Sequence, residues 1–286
     1  MRWASLTIEA EDEGALAAAE HLCYSADIKG VAIVDDSTPR RITGYLPEDD
    51  RLEGRIRAID AALAILPSLG IAGVSPAAVV GYIEEDDWAN AWKKYFKPTR
   101  VGTHLIVTPP WETPELGAGD IPIVIDPGMA FGTGSHATTQ LCLMALENLV
   151  QTGAKVADIG TGSGILAIAA AKLGASSVWA MDNDPLAARI AGENAIANGV
   201  SILTGEAMPQ QETFDVVVAN IIADTLIALA PQLASITAPT GTLVVSGIID
   251  HRARDVQKAF DAAGMAHEVD LKQGEWIAQK YHWSKH

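Results

Sequence analysis

Only two of the 286 residues are cysteine, Cys23 and Cys142. That excludes a disulfide framework and a cysteine zinc site. No apolar run of about 18 residues is free of a charge or a turn signal, so no membrane-spanning helix is expected. Met1-Arg2-Trp3-Ala4 meets the acidic cluster Glu9, Glu11, Asp12 and Glu13 before any apolar stretch long enough for a signal peptide, and a cytoplasmic protein is expected. Basic residues are in deficit, with 20 Lys and Arg against 36 Asp and Glu and a net charge of −16. The deficit holds on both sides of Lys97, which argues against a grip on nucleic-acid phosphates and makes a basic protein or amine the easier partner. The sequence contains no Gly-x-x-x-x-Gly-Lys phosphate loop and no internal repeat, and no metal site is expected among its seven histidines.

What remains is 49% hydrophobic and 20% charged, a globular composition with ample core material, and long enough for two domains. Over residues 1–85 the pattern reads βαββαβ. Alternating strands are predicted at Trp3–Ile8, Val31–Val34, Arg41–Tyr45 and Ala78–Ile83. Helices are predicted over Glu11–Leu22 and Arg51–Leu66, the latter with Leu52, Ile56, Ile59, Leu63 and Leu66 on one face. That order predicts a small ferredoxin-like α+β domain. Residues 86–100 read as a linker. Trp88, Trp92 and Tyr95 or Phe96 could line one side of a short helix there.

From 101 to 286 strands and helices alternate. Strands are predicted at His104–Thr108, Ile121–Ile125, Lys155–Ile159, Ser177–Met181, Phe214–Ala219 and Thr242–Ser246. Helices are predicted at Ser135–Thr152, Gly164–Leu173, Pro185–Asn198 and Ala223–Ile236. The alternation predicts a doubly wound, Rossmann-like α/β sheet, closed by an antiparallel hairpin at His267–Leu271 and Trp276–Trp283.

Three strand ends in this domain carry chemistry. Val156-Ala157-Asp158-Ile159-Gly160-Thr161-Gly162-Ser163-Gly164 is an apolar strand running into a Gly-x-Gly-x-Gly turn, where glycines such as Gly160 and Gly162 let a ligand approach the backbone. The next strand ends in Asp182, placed to accept hydrogen bonds from ribose hydroxyls. Asp184-Pro185 behind it reads as a helix cap. The turn lacks the Gly-x-Gly-x-x-Gly spacing of dinucleotide sites, so a hydride-transferring dehydrogenase is the lesser rival. A nucleoside without phosphates fits better, and the carboxylates of Asp158 and Asp182 favour the cationic groups of S-adenosylmethionine. Asn220 ends the strand Phe214–Ala219. Its amide could orient an incoming nucleophile, or it could simply cap the next helix.

A fourth signal is the loop Asp126-Pro127-Gly128-Met129-Ala130-Phe131-Gly132-Thr133-Gly134-Ser135-His136-Ala137-Thr138-Thr139. Phe131 could cover the adenine or the methionine chain, and Thr139 could bind the polar end of the ligand. His136 reads as a local hydrogen-bonding residue.

The loop Gly128–Thr139, the segment Asp158–Leu166, Met181–Pro185 and Asn220–Ala223 together resemble the PrmA family, the methyltransferases of ribosomal large-subunit protein L-eleven. The tail Gly241–Ile248 is similar as well, and the match runs from about Trp88 onward. Ala137 and Thr240 stand where the family often has Pro and Gly. The resemblance implies a monomeric S-adenosylmethionine-dependent enzyme whose N-terminal domain recognises a ribosomal protein and which methylates lysine side chains, with the α-amine a possible further acceptor. It also implies cofactor contacts at Thr139, Gly160, Asp182 and Asn220. Two other readings stay open at this point. One is a glutamine or nucleic-acid amino methyltransferase, although Ile221-Ile222 offers no stacking platform after the asparagine. The other is a non-catalytic ribosome-assembly binder.

Overall fold

A computed structural model of the chain describes residues 2–11, 15–16, 18–19, 22–23, 28–34, 39–69, 71–84, 96–127, 133–209 and 212–284. The chain divides into two compact units, Met1–Lys97 with Pro127–Phe131 and Pro98–Asp126 with Gly132–His286.

In the first unit, β1 (Arg2–Ala10), β2 (Lys29–Val34), β3 (Arg40–Pro47) and β4 (Val79–Glu84) form an antiparallel sheet in the order β2-β3-β1-β4. Residues 15–16, 18–19 and 22–23 are helical, and α1 spans Leu52–Ile65. This is the expected ferredoxin-like order. Every second residue of β1 from Ala4 to Ala10 is buried, as a strand with one covered face requires. Those side chains meet Ile42 and Leu46 of β3 and Ile59 and Leu63 of α1. Each fully buried Leu or Ile contributes roughly 1.5–3 kcal/mol of burial free energy. The aromatic bridge at 85–95 lies outside the described residues.

The second unit is built on a seven-stranded sheet. Its strands are β8 (Lys155–Ile159), β9 (Ser177–Met181), β10 (Leu203–Gly205), β11 (Phe214–Asn220), β12 (Thr237–Ile249), β13 (Met265–Gln273) and β14 (Trp276–Trp283). The order is β10-β9-β8-β11-β12-β14-β13, parallel from β10 to β12 and antiparallel beyond. Around it lie α2 (Ala137–Leu149), α3 (Ile165–Lys172), α4 (Pro185–Ala197), α5 (Ala223–Ile236) and α6 (Ala253–Ala262). Residues Ile165 to Ala170 of α3 are all buried, so this Ala-rich helix has no polar stripe. Among the described residues no helix is long and apolar enough to cross a membrane.

Two strand expectations are corrected. The strands predicted at His104–Thr108 and Ile121–Ile125 stay out of the main sheet. With β5 (Thr99–Val101), β6 (Leu105–Thr108) and β7 (Ile121–Val124) make a separate three-stranded sheet. Side chains close that small sheet: Arg100 forks onto both carboxylate oxygens of Asp120, and Glu147 of α2 accepts the Thr103 and His104 amides. In the main sheet β10 is too short to leave a periodic signal, and β12 begins five residues before the predicted strand.

Candidate active site

The sheet order makes β9, β8 and β11 neighbours, so Asp182, the glycine turn and Asn220 meet at the carboxyl ends of three adjacent parallel strands. Gly160, Gly162 and Gly164 all have positive φ. The amides of Gly160 and Thr161 both donate to Met181 O, at 2.8 and 2.9 Å, which folds the turn back over the tip of β9. Asp182 follows Met181. Its Oδ2 accepts the Gly162 amide at 2.9 Å and its Oδ1 the Asp184 amide at 3.1 Å. Each carboxylate oxygen keeps a lone pair for an outside donor. Asp184 caps α4 by accepting the Leu186 amide, with Pro185 next to it, as the sequence suggested.

Asp158 takes a different part from the one its charge suggested. It is fully buried, and its Oδ2 accepts the Thr161 hydroxyl at 2.7 Å and the Ala167 amide at 3.1 Å. It thereby caps α3, whose own N-cap position is Gly164 with no side chain to offer. Burial pushes the carboxyl up to about 7, the Thr161 and Ala167 hydrogen bonds oppose this, and the charge of Asp182 adds to it. Its Oδ1 is buried without a hydrogen-bond partner among the described residues. Asp182 is thus the more exposed carboxylate at the mouth of the turn.

Asn220 is half-buried, and its Nδ2 donates to the Thr139 hydroxyl at 3.3 Å. The alternative of a helix cap does not hold for it, because the N-cap of α5 is Ile222. Thr139 is fully buried in the first turn of α2. His136 caps that helix: its Nδ1 accepts the Thr138 amide and lies 2.7 Å from the Thr138 hydroxyl, the local role expected of it. The structure therefore brings Thr139, Gly160, Gly162, Asp182 and Asn220 to one edge. Phe131 lies outside the described residues.

Sequence reasoning missed two neighbours. Trp276, the first residue of β14, meets the His136 ring edge-on with centroids 4.8 Å apart, and Gln273 Nε2 donates to Gln140 Oε1 at 2.8 Å, so the terminal hairpin reaches the start of α2. Ile221 sits between two glycines of positive φ. A Cβ on Gly160 would overlap Ile221 Cγ2, and one on Gly247 would overlap the Ile221 carbonyl oxygen. The Ile221 amide donates to Ser246 O at 3.1 Å. The segment that carries Asn220 is therefore held from both sides. The advance signals of Gly247 were its place within an apolar run and within the family-like tail Gly241–Ile248.

The arrangement fits S-adenosylmethionine. The Asp182 carboxylate has free acceptor capacity for a ribose beside the glycine turn, and an amide stands at the tip of β11. No group of three or more His, Cys, Asp or Glu that could hold a metal occurs among the described residues.

Comparison with known proteins agrees. The sequence model of the family described as ribosomal protein L11 methyltransferase (PrmA) matches residues 2–282, which extends the likeness through the first unit. A ribosomal protein L11 methyltransferase of Pelotomaculum thermopropionicum is 48% identical over 248 residues, covering 85% of this chain and 79% of that protein. One of Trichlorobacter lovleyi is 40% identical over 284 residues, covering 90% of this chain and 92% of that protein. Among solved structures, a ribosomal protein L11 methylase of Lactobacillus delbrueckii subsp. bulgaricus superposes with a TM-score of 0.63 at 35% identity. That match covers 66% of this chain and all of the other. The chain belongs to the ribosomal protein L11 methyltransferase (PrmA) family, whose cofactor is S-adenosylmethionine.

Proposed function

We propose that this protein methylates ribosomal protein L11 on lysine side chains, with the N-terminal α-amine as a further acceptor, acting as a monomer in the cytoplasm and on protein, not nucleic acid. The single observation that carries the reading is the Asn220–Thr139 pair beside the Asp182-held glycine turn, in a chain of this family.

The cofactor supplies an electrophilic methyl group on a sulfonium. The protein has to present a neutral amine in line with it. A lysine with a pKa near 10.4 is almost wholly protonated at neutral pH. Desolvation at the sheet edge lowers that value, and water can carry off the proton, so no dedicated base is needed. With its N–H directed to Thr139, the Asn220 amide leaves Oδ1 to accept from the amine and orient its lone pair. Orientation of this kind can contribute about 7–11 kcal/mol. In this reading Asp182 takes the ribose, Gly160 and Gly162 line its approach, and Thr139 and Phe131 border the remainder of the cofactor.

We assign substrate recognition to residues 1–85, linkage to 86–100 and catalysis to 101–286. The sequence of residues 1–85 contains no glycine-rich turn or paired polar cluster suited to chemistry, and its acid excess suits a basic partner. Incubation with labelled S-adenosylmethionine and purified L11, followed by peptide mass spectrometry, should place label on lysine. Label on glutamine or RNA, or none at all, would refute the assignment. Crosslinks from L11 should map to residues 1–85, and crosslinks confined to the second unit would reject the division of labour.

A further inference from the structure

The glycine turn and the strand β7 are tied to one helix. Asn194 on α4 is 7% exposed, and its Nδ2 donates to Ser163 O at 2.8 Å, inside the glycine turn. One helical turn later, Asn198 ends α4. Its Nδ2 donates to Val124 O at 2.6 Å and to Asn194 O at 2.9 Å, while its Oδ1 accepts the Val124 amide at 2.8 Å. Val124 is the last residue of β7, at the edge of the three-stranded sheet. A side-chain amide thus takes the place of a neighbouring strand and satisfies both groups of one backbone residue.

Asn194 has no local reason to be asparagine. Asparagine is a poor helix former, and a buried position within α4 would favour Ala or Leu. A carboxylate in place of Asn198 would lack the donor that Val124 O needs, and an alanine would leave both Val124 groups without this partner.

We propose that Asn194 and Asn198 are positioning residues for the cofactor. The connected series Ser163–Asn194–Asn198–Val124 holds the glycine turn at a fixed separation from β7, and thereby sets the affinity for S-adenosylmethionine. The inference rests on the reading of the glycine turn as a cofactor contact.

The test uses the full chain and the variants Asn194→Ala, Asn198→Ala and Asn198→Asp. Calorimetry with S-adenosylmethionine should show each variant at least fivefold weaker than the parent. The KM for the cofactor should rise in step, while kcat at saturating cofactor and the KM for L11 stay within about twofold. The double alanine variant should lose little more than the worse single one, because the residues act in one series. A purely structural role would lower the melting temperature and leave cofactor affinity at the parent value, and that result overturns the inference. If the variants do not fold, hydrogen exchange on the unaltered protein decides. Cofactor should then slow exchange at Val124 and Ile125 as well as at 160–164, and protection confined to 160–164 overturns the proposal. Failure of the parent to bind S-adenosylmethionine would remove the cofactor reading together with this inference. A parent that binds, with variants that bind equally well, would remove this inference alone.

Discussion

The Asn220 amide and the Thr139 hydroxyl meet at 3.3 Å although 81 positions separate them in the chain. One stands at the tip of β11 and the other in the first turn of α2, so the pair joins the edge of the sheet to the loop that the sequence singled out. The contact fixes which end of the amide faces outward, and catalytic orientation depends on that choice.

Asn220→Ala should therefore slow single-turnover methylation of L11 at least tenfold. Cofactor affinity should change less, because orientation acts on the transition state. Since Ile222 is the cap of α5, the melting temperature should show no loss on the order of the 1 kcal/mol that a deleted cap costs. Asn220→Asp should be slow as well, because a carboxylate there holds the lysine protonated. Normal single-turnover rates in both variants would remove Asn220 from the site.

Asp182 holds the Gly162 amide while keeping acceptor capacity for a ribose. Asp182→Ala should cost about 1.5–3 kcal/mol of cofactor binding, at least tenfold in Kd. Calorimetry that returns the parent affinity would show that the carboxylate serves the turn alone.

The two glycines around Ile221 make unlike demands. Gly160→Ala and Gly247→Ala should each destabilise the fold by roughly 1–3 kcal/mol, since both positions have positive φ. Adding Ile221→Ala should recover part of the loss at Gly160, where the obstacle is a side chain. It should recover nothing at Gly247, where the obstacle is backbone. Equal recovery in thermal melts of the two pairs would contradict this packing.

Burial raises Asp158 from the ordinary 3.8 to about 7. Between those values the unfolded chain holds fewer protons than the folded one, so this group's contribution to stability is complete below pH 4 and is lost as pH rises to 7. The loss is on the order of a few kcal/mol. Relative to Asp158→Asn, which cannot titrate, the cofactor-free parent should melt at progressively lower temperature from pH 5 to pH 8. Parallel pH profiles would mean that Asp158 is ionised throughout.

Local patterning made much of this legible. The alternation over Trp3–Ile8 and the spacing of Leu52, Ile56, Ile59, Leu63 and Leu66 pointed to the sheet and helix of the first unit, because one covered face imposes one period. The turn at Gly160, the carboxylate of Asp182 and the amide of Asn220 stood out because each follows a buried strand. Contacts distant in sequence were not legible. Nothing near Ile121 says that its strand leaves the main sheet, since that follows from pairing with Leu105–Thr108. Nothing near Asp158 says that it caps a helix and sits in the core. Asn194 and Asn198 looked like ordinary helix residues, because their partners lie 31 and 74 positions away.

The place of β14 bears on when the second unit can fold. Trp276–Trp283 is synthesised after both strands that flank it, since it lies between β12 and β13, and it buries Ile277, Ala278, Gln279 and Tyr281. Until it leaves the ribosome, β12 carries an open edge and β13 has no neighbour in the sheet. A nascent chain that has already made the glycine turn, Asp182 and Asn220 must still wait for these eight residues, so the sheet cannot close before them and the exposed flank of β12 is the stage most open to mispairing.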